Sequence, residues 1–112
     1  MKFPDEIKVG ARRYKIIFPY FFKERTGITG QADHSILELR VSDCVDGGLK
    51  RPESAILVTY VHELIHIIDR VYNGSRIADM DGGEYLVEAL GEGLSQILAD
   101  NDLFGQGIVK LG

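Results

Sequence analysis

At 112 residues, 45% hydrophobic and 27% charged, the chain is an ordinary globular domain with room for one core and none for a separate specificity domain. A net charge of −4 with no block of Lys and Arg argues against a nucleic-acid binder, because neutralising phosphates takes clustered cations. Cys44 is the only cysteine, which excludes an internal disulfide and a cysteine-based zinc centre; no signal peptide opens the chain and no apolar run reaches membrane-spanning length, so a cytoplasmic protein is expected.

Residues 6–9 and 12–18 are rich in Ile, Val, Tyr and Phe and predict two strands joined at Gly10-Ala11, with Tyr14, Ile16 and Phe18 on one face. The aromatic stretch 19–25 fits a short helix or an extended crossover, and Phe21 and Phe22 are expected to pack rather than bind. A second hairpin follows, 27–33 and 35–41, turning around Asp33-His34-Ser35; Ile36, Glu38 and Arg40 alternate against Leu37, Leu39 and Val41, the period of a half-buried strand. His34 falls on the turn and is expected to face solvent. Residues 42–51, with Asp43, Asp46, Gly47 and Gly48, read as a loop in which Cys44 has no neighbouring base to activate it.

The next stretch, Val61-His62-Glu63-Leu64-Ile65-His66, carries the most chemistry. Residues 52–72 predict a helix, opened by Pro52 and Glu53 and closed near Asn73-Gly74. Most of its apolar residues, Ile56, Tyr60, Val61, Leu64, Ile65 and Ile67 among them, fall on one broad arc. The complementary stripe holds Thr59, His62, Glu63, His66, Asp69 and Arg70. A helix turns about 100° per residue, so His62 and His66 leave one face and can reach a single ion. This is the HExxH pattern, in which zinc is bound through nitrogens at roughly 2.0–2.1 Å, one position is left for water, and the glutamate accepts that water's proton. The plainer alternative is an amphipathic surface helix whose histidines face water.

Residues 75–83 form a polar connection, and 84–100 predict a second helix with Leu86, Val87, Leu90, Leu94, Ile97 and Leu98 on its apolar arc. Gly91 and Gly93 each weaken it by about 1 kcal/mol relative to Ala, for which close helix packing is the expected compensation. The tail, with Leu103, Phe104, Ile108 and Val109, is expected to fold back on the body. Two histidines alone hold zinc poorly, so a third donor is needed. The pattern HExxHxxGxxH does not supply it, since Asp69 and Tyr72 occupy its last two positions; Asp69 instead suits a role orienting an imidazole N–H, or lies plainly on the surface. A glutamate from the second helix is the other source. Glu84, Glu88 and Glu92 form a stripe at four-residue spacing, and helical geometry admits any of them, or none if the stripe merely solvates an exposed face.

The HExxH run, followed by Glu84-Tyr85-Leu86-Val87-Glu88-Ala89-Leu90-Gly91-Glu92, resembles the ImmA/IrrE-like zinc metallopeptidases, especially the small single-domain members of phages and prophages. The segments Ile7-Lys8-Val9-Gly10, Tyr14-Lys15-Ile16 and Gly30-Gln31-Ala32-Asp33 extend the likeness over most of the chain. The resemblance implies an α+β zincin-like domain over residues 1–112: an N-terminal antiparallel β-meander of hairpins packed on two long helices, with HExxH on the first. It implies Zn²⁺ on His62, His66 and Glu88, with Glu63 as the catalytic base, and as substrate a protein or peptide, in the family often a repressor. Gly91 and Glu92 depart from the family's Ala and Asn. Strand 36–41 is the expected edge for pairing with an extended substrate, and Tyr60, Tyr72 and Tyr85 are candidate oxyanion donors for which packing is the plainer role. The competing readings are a catalytically silent, metal-stabilised phage accessory protein and a regulatory protein that acts by binding alone.

Overall fold

The computed structural model describes residues 2–103. Strand β1 (Glu6–Val9) pairs antiparallel with β2 (Arg12–Ile17), placing Ile7 opposite Tyr14. Strand β3 (Gly30–Asp33) pairs antiparallel with β4 (Glu38–Val41), placing Gly30 opposite Val41. Both hairpins follow the alternation in the sequence, with shorter strands. Their junction departs from a meander: β4 lies parallel to β2, Ile16 opposite Leu39, and the sheet order is β1-β2-β4-β3. Burial accounts for it. Leu39 and Val41 are fully buried and gain from neighbours on both sides, whereas Gly-Gln-Ala-Asp of β3 is only half-buried and suits an edge. Residues 18–29 are the extended crossover that carries the chain to that edge, with Phe22 buried and Phe21 exposed. The expected free edge at 36–41 is therefore absent, because β4 is paired on both sides; the free edge near α1 belongs to β3.

Helix α1 (Glu53–Tyr72) lies across the sheet. Its broad apolar arc resolves into two stripes. Ile56, Tyr60 and Ile67 pack on Tyr14, Ile16, Leu39 and Val41 of the sheet. Val61 and Ile65 turn the other way and pack on Val87 of α3 (Gly83–Asp100). Among the described elements, α3 packs on α1 and on the short α2 (Arg76–Asp79) but on no strand. The polar face of α1 thus opens into a cleft between α3 and β3. Of the two α3 glycines, Gly91 sits against His62, where an added Cβ would lie 3.6 Å from the His62 Cα, while Gly93 has no neighbour within 4 Å. Close packing compensates only the first. The expected return of Phe104, Ile108 and Val109 lies outside the described residues, and no described helix is long and apolar enough to cross a membrane.

Helix α2 interrupts what the sequence presents as a polar connection, and Asp69 is the reason. Its Oδ1 accepts hydrogen bonds from Asn73 Nδ2 at 2.9 Å and the Ile77 amide at 3.0 Å, and its Oδ2 accepts from the Ala78 amide at 2.9 Å. Asp69 is only 2% exposed. It neither orients an imidazole nor lies on the surface, the two roles expected for it; both oxygens are engaged in capping α2, where Ser75 makes no side-chain cap. Burial pushes its pKa up, but the Asn73, Ile77 and Ala78 donors outweigh burial and hold it below the ordinary value. Asp69→Ala leaves two amides unpaired and should lower stability by about 3 kcal/mol in urea unfolding at pH 7. Because the folded pKa is depressed, this contribution is complete above the unfolded value of 3.8 and is lost as pH falls through the folded one. The gap between wild type and variant should narrow in that acid range.

Candidate metal centre

His62 and His66 leave α1 one turn apart and converge, with their Nε2 atoms 3.2 Å from each other. Glu84, in the first turn of α3, bridges them: its Oε1 is 2.7 Å from His62 Nε2 and its Oε2 is 3.2 Å from His66 Nε2. Two nitrogen lone pairs facing each other beside a carboxylate call for a cation or shared protons between them. The three side chains could hold a metal ion, and they are the group among the described residues with the geometry to do so.

The side chain that joins the two histidines in this group is Glu84, where the resemblance implied Glu88. Glu88 and Glu92 line the same cleft, of about 720 Å³, further along α3, but neither joins the three-donor group. The start of α3 decides the matter. At Gly83 an added Cβ would lie 1.9 Å from the Ile77 carbonyl oxygen, so only glycine lets α2 and α3 meet this closely. That contact sets the first turn of α3, and with it Glu84, over the two imidazoles. Glu88 is one turn on, about 6 Å along the helix.

Glu63 faces the sheet side of the cleft. It is 8% exposed and lies under Gly30 of β3, where an added Cβ would be 3.1 Å from Glu63 Oε2 and 2.5 Å from Thr59 Cγ2. A side chain at position 30 would push the strand off the helix. Burial raises the Glu63 pKa to about 7; the Glu84 carboxylate adds to the rise, and His62 and the Ala32 backbone oppose it.

His34 is the site residue that the sequence reading placed elsewhere. It is not a free surface residue: its Nδ1 is 2.9 Å from the hydroxyl of Tyr14, and it lines a hollow of about 350 Å³ together with His62, Glu63, His66 and Glu84. Burial holds the His34 pKa below the usual histidine range, with Arg70 and His66 pressing the same way. Burial likewise raises the Tyr14 phenol, against Arg12 and Arg70. The sequence signal was indirect, since a strand that must run along α1 delivers its following turn to the His66 end of the helix. The three tyrosines expected as candidate oxyanion donors separate. Tyr60 is buried and stacks on Phe3 at 4.2 Å, Tyr72 is exposed and accepts the Gly10 amide at 3.0 Å, and Tyr85 lines the cleft.

Comparison with protein-family models, with curated proteins and with solved structures finds no match for this chain.

Because Glu63 has a folded pKa near 7 against an ordinary value of 4.5, the folded state holds a proton that the unfolded chain releases between those two values. In the metal-free protein Glu63 should therefore contribute a loss of stability as pH rises from about 4.5 to about 7, and none beyond, read as the difference between wild type and Glu63→Gln. The two are compared by denaturant titration in chelator across that range.

Proposed function

We propose that the protein is a zinc-dependent metallopeptidase of the ImmA/IrrE-like kind, hydrolysing a peptide bond in a specific cytosolic protein, with His62, His66 and Glu84 holding Zn²⁺ and Glu63 as the base. The observation that carries this reading is the convergence of two imidazole nitrogens and one carboxylate beside a second, buried carboxylate. Ligand atoms on bonds of roughly 2.0–2.1 Å in a tetrahedron stand about 3.3 Å apart. Two of the three separations, His66 Nε2 to His62 Nε2 and to Glu84 Oε2, both 3.2 Å, fit that spacing; the third, His62 Nε2 to Glu84 Oε1, is shorter at 2.7 Å. Two His and one Glu are also the donor set of catalytic zinc centres, which leave a position open for water.

Bound zinc would supply a Lewis acid and bring the pKa of its water toward neutrality. Glu63 takes a proton from the attacking water as its oxygen adds to the carbonyl carbon, then passes that proton to the leaving amine nitrogen. A buried carboxyl whose surroundings raise its affinity for a proton suits both accepting and returning one. The free edge of β3, beside Glu63, offers backbone groups to an extended chain by strand addition. A metal kept only for stability has no use for a buried carboxylate that resists ionisation beside its ligands, which weighs against the silent-scaffold reading.

Purified protein should carry one zinc per chain, and Glu84→Ala should lower zinc affinity at least about tenfold. Glu88→Ala should leave it unchanged, as measured by competition with a chromophoric chelator. Incubated with an undigested cytosolic protein extract, zinc-loaded wild type should generate new N-termini in mass spectra that Glu63→Gln, with zinc retained, does not. Cleavage persisting in Glu63→Gln rejects the assigned base; absence of zinc from wild type rejects the reading.

A further inference from the structure

Resting on that peptidase reading, we infer that His34 is a further catalytic residue, donating its Nε2–H to the substrate carbonyl oxygen as negative charge builds there, and that Tyr14 is the positioning residue that holds it ready. His34 shares a hollow with His62, Glu63, His66 and Glu84 yet stands outside the three-donor group, so its ring borders the reacting space without being a ligand. Its Nδ1 meets the Tyr14 hydroxyl at 2.9 Å. Tyr14 has 0% exposure, and Nδ1 is the one partner the structure gives its hydroxyl among the described residues. A buried phenol proton needs an acceptor, so Tyr14 donates and Nδ1 accepts. The ring proton then sits on Nε2, leaving a donor free for the cleft.

The placement along the strand suits this role. Gly30, at the start of β3, touches Glu63, and His34 follows the end of β3 beside His66. Both side chains line one hollow under the free edge of β3, so a carbonyl of a peptide paired along that edge can meet the base and the donor together. Preorganised donors of this kind act where charge develops, and losing one typically slows turnover about 10²–10³-fold. A turn histidine with no such task has no need of a fully buried tyrosine fixing its tautomer.

The test has two arms. In the metal-free protein, long-range ¹H–¹⁵N correlation spectra should show the His34 proton on Nε2, and Tyr14→Phe should shift the ring toward a mixture of tautomers. A proton fixed on Nδ1 in wild type overturns the inference. In the zinc-loaded protein, a phosphinic pseudopeptide supplies a tetrahedral centre with an anionic oxygen as the probe, and its affinity is read by calorimetry. His34→Ala should weaken it about tenfold or more with zinc content unchanged, and His34→Gln, which keeps an N–H donor, should retain part of the affinity. Equal affinity in wild type and His34→Ala, both fully zinc-loaded, overturns the role of His34 and leaves the peptidase reading standing. A wild type that takes up no zinc overturns both.

Discussion

A single buried carboxylate, Asp69, fixes the geometry on which the candidate metal site depends. An ionised aspartate with 2% exposure is costly unless its oxygens are met by donors, and here three N–H groups meet them. Two of those donors are the second and third amides of α2, so the same interaction that satisfies the charge starts the helix. Helix α2 then presents the Ile77 carbonyl to Gly83, and that contact sets the first turn of α3 above His62 and His66. The sequence reading had Asp69 either acting on an imidazole or lying on the surface. It acts on the site through the backbone of two helices.

The cleft has two unlike walls, which separates the tasks of its carboxylates. Glu84 comes from α3 with its side chain 61% exposed, in the helix's first turn, where the dipole favours a negative charge. Glu63 comes from α1 but turns toward the sheet, under Gly30, where burial resists ionisation. Burial on the sheet side is what suits Glu63, and not the exposed Glu84, to exchanging a proton. Helical rotation explains how neighbours achieve this: Glu63 is offset about 100° from His62, enough to move it from the open face to the strand-covered one.

What could be read from the chain and what could not follows the range of the interactions. The two long helices show in the sequence because apolar residues recur at helical spacing over some twenty positions each, and His62, Glu63 and His66 show because one helical turn relates them. The strand order did not show. Whether β4 pairs with β2 depends on a contact between segments more than twenty residues apart, and alternation is the same for a central strand in either arrangement. The third donor was ambiguous for a related reason: Glu84, Glu88 and Glu92 share one stripe, and the choice among them depends on where α3 begins, set by the Gly83–Ile77 contact. For Asp69 there was a local clue. An acid in the last turn of a helix opposes the dipole, so its presence there implies donors, and Asn73 lies one turn on. His34 carried no local clue at all, since its partner Tyr14 is on a different strand.

The size of the free edge bears on what the cleft could process. Strand β3 has four residues, of which alternate ones point their backbone groups outward, so an added chain gains only two to four ladder hydrogen bonds. At about 1 kcal/mol net each, these do not offset the roughly 4–15 kcal/mol that association costs in lost freedom. A short peptide would therefore bind weakly, however well its carbonyl is placed. On the proposed reading, affinity must come from contacts beyond the scissile segment. A folded protein that presents an extended loop to β3 while resting on the surfaces around the cleft supplies such contacts, and a free oligopeptide does not. The short edge thus favours one particular protein substrate over peptides at large, and the same brevity limits the strand's capacity to pair with other copies of itself.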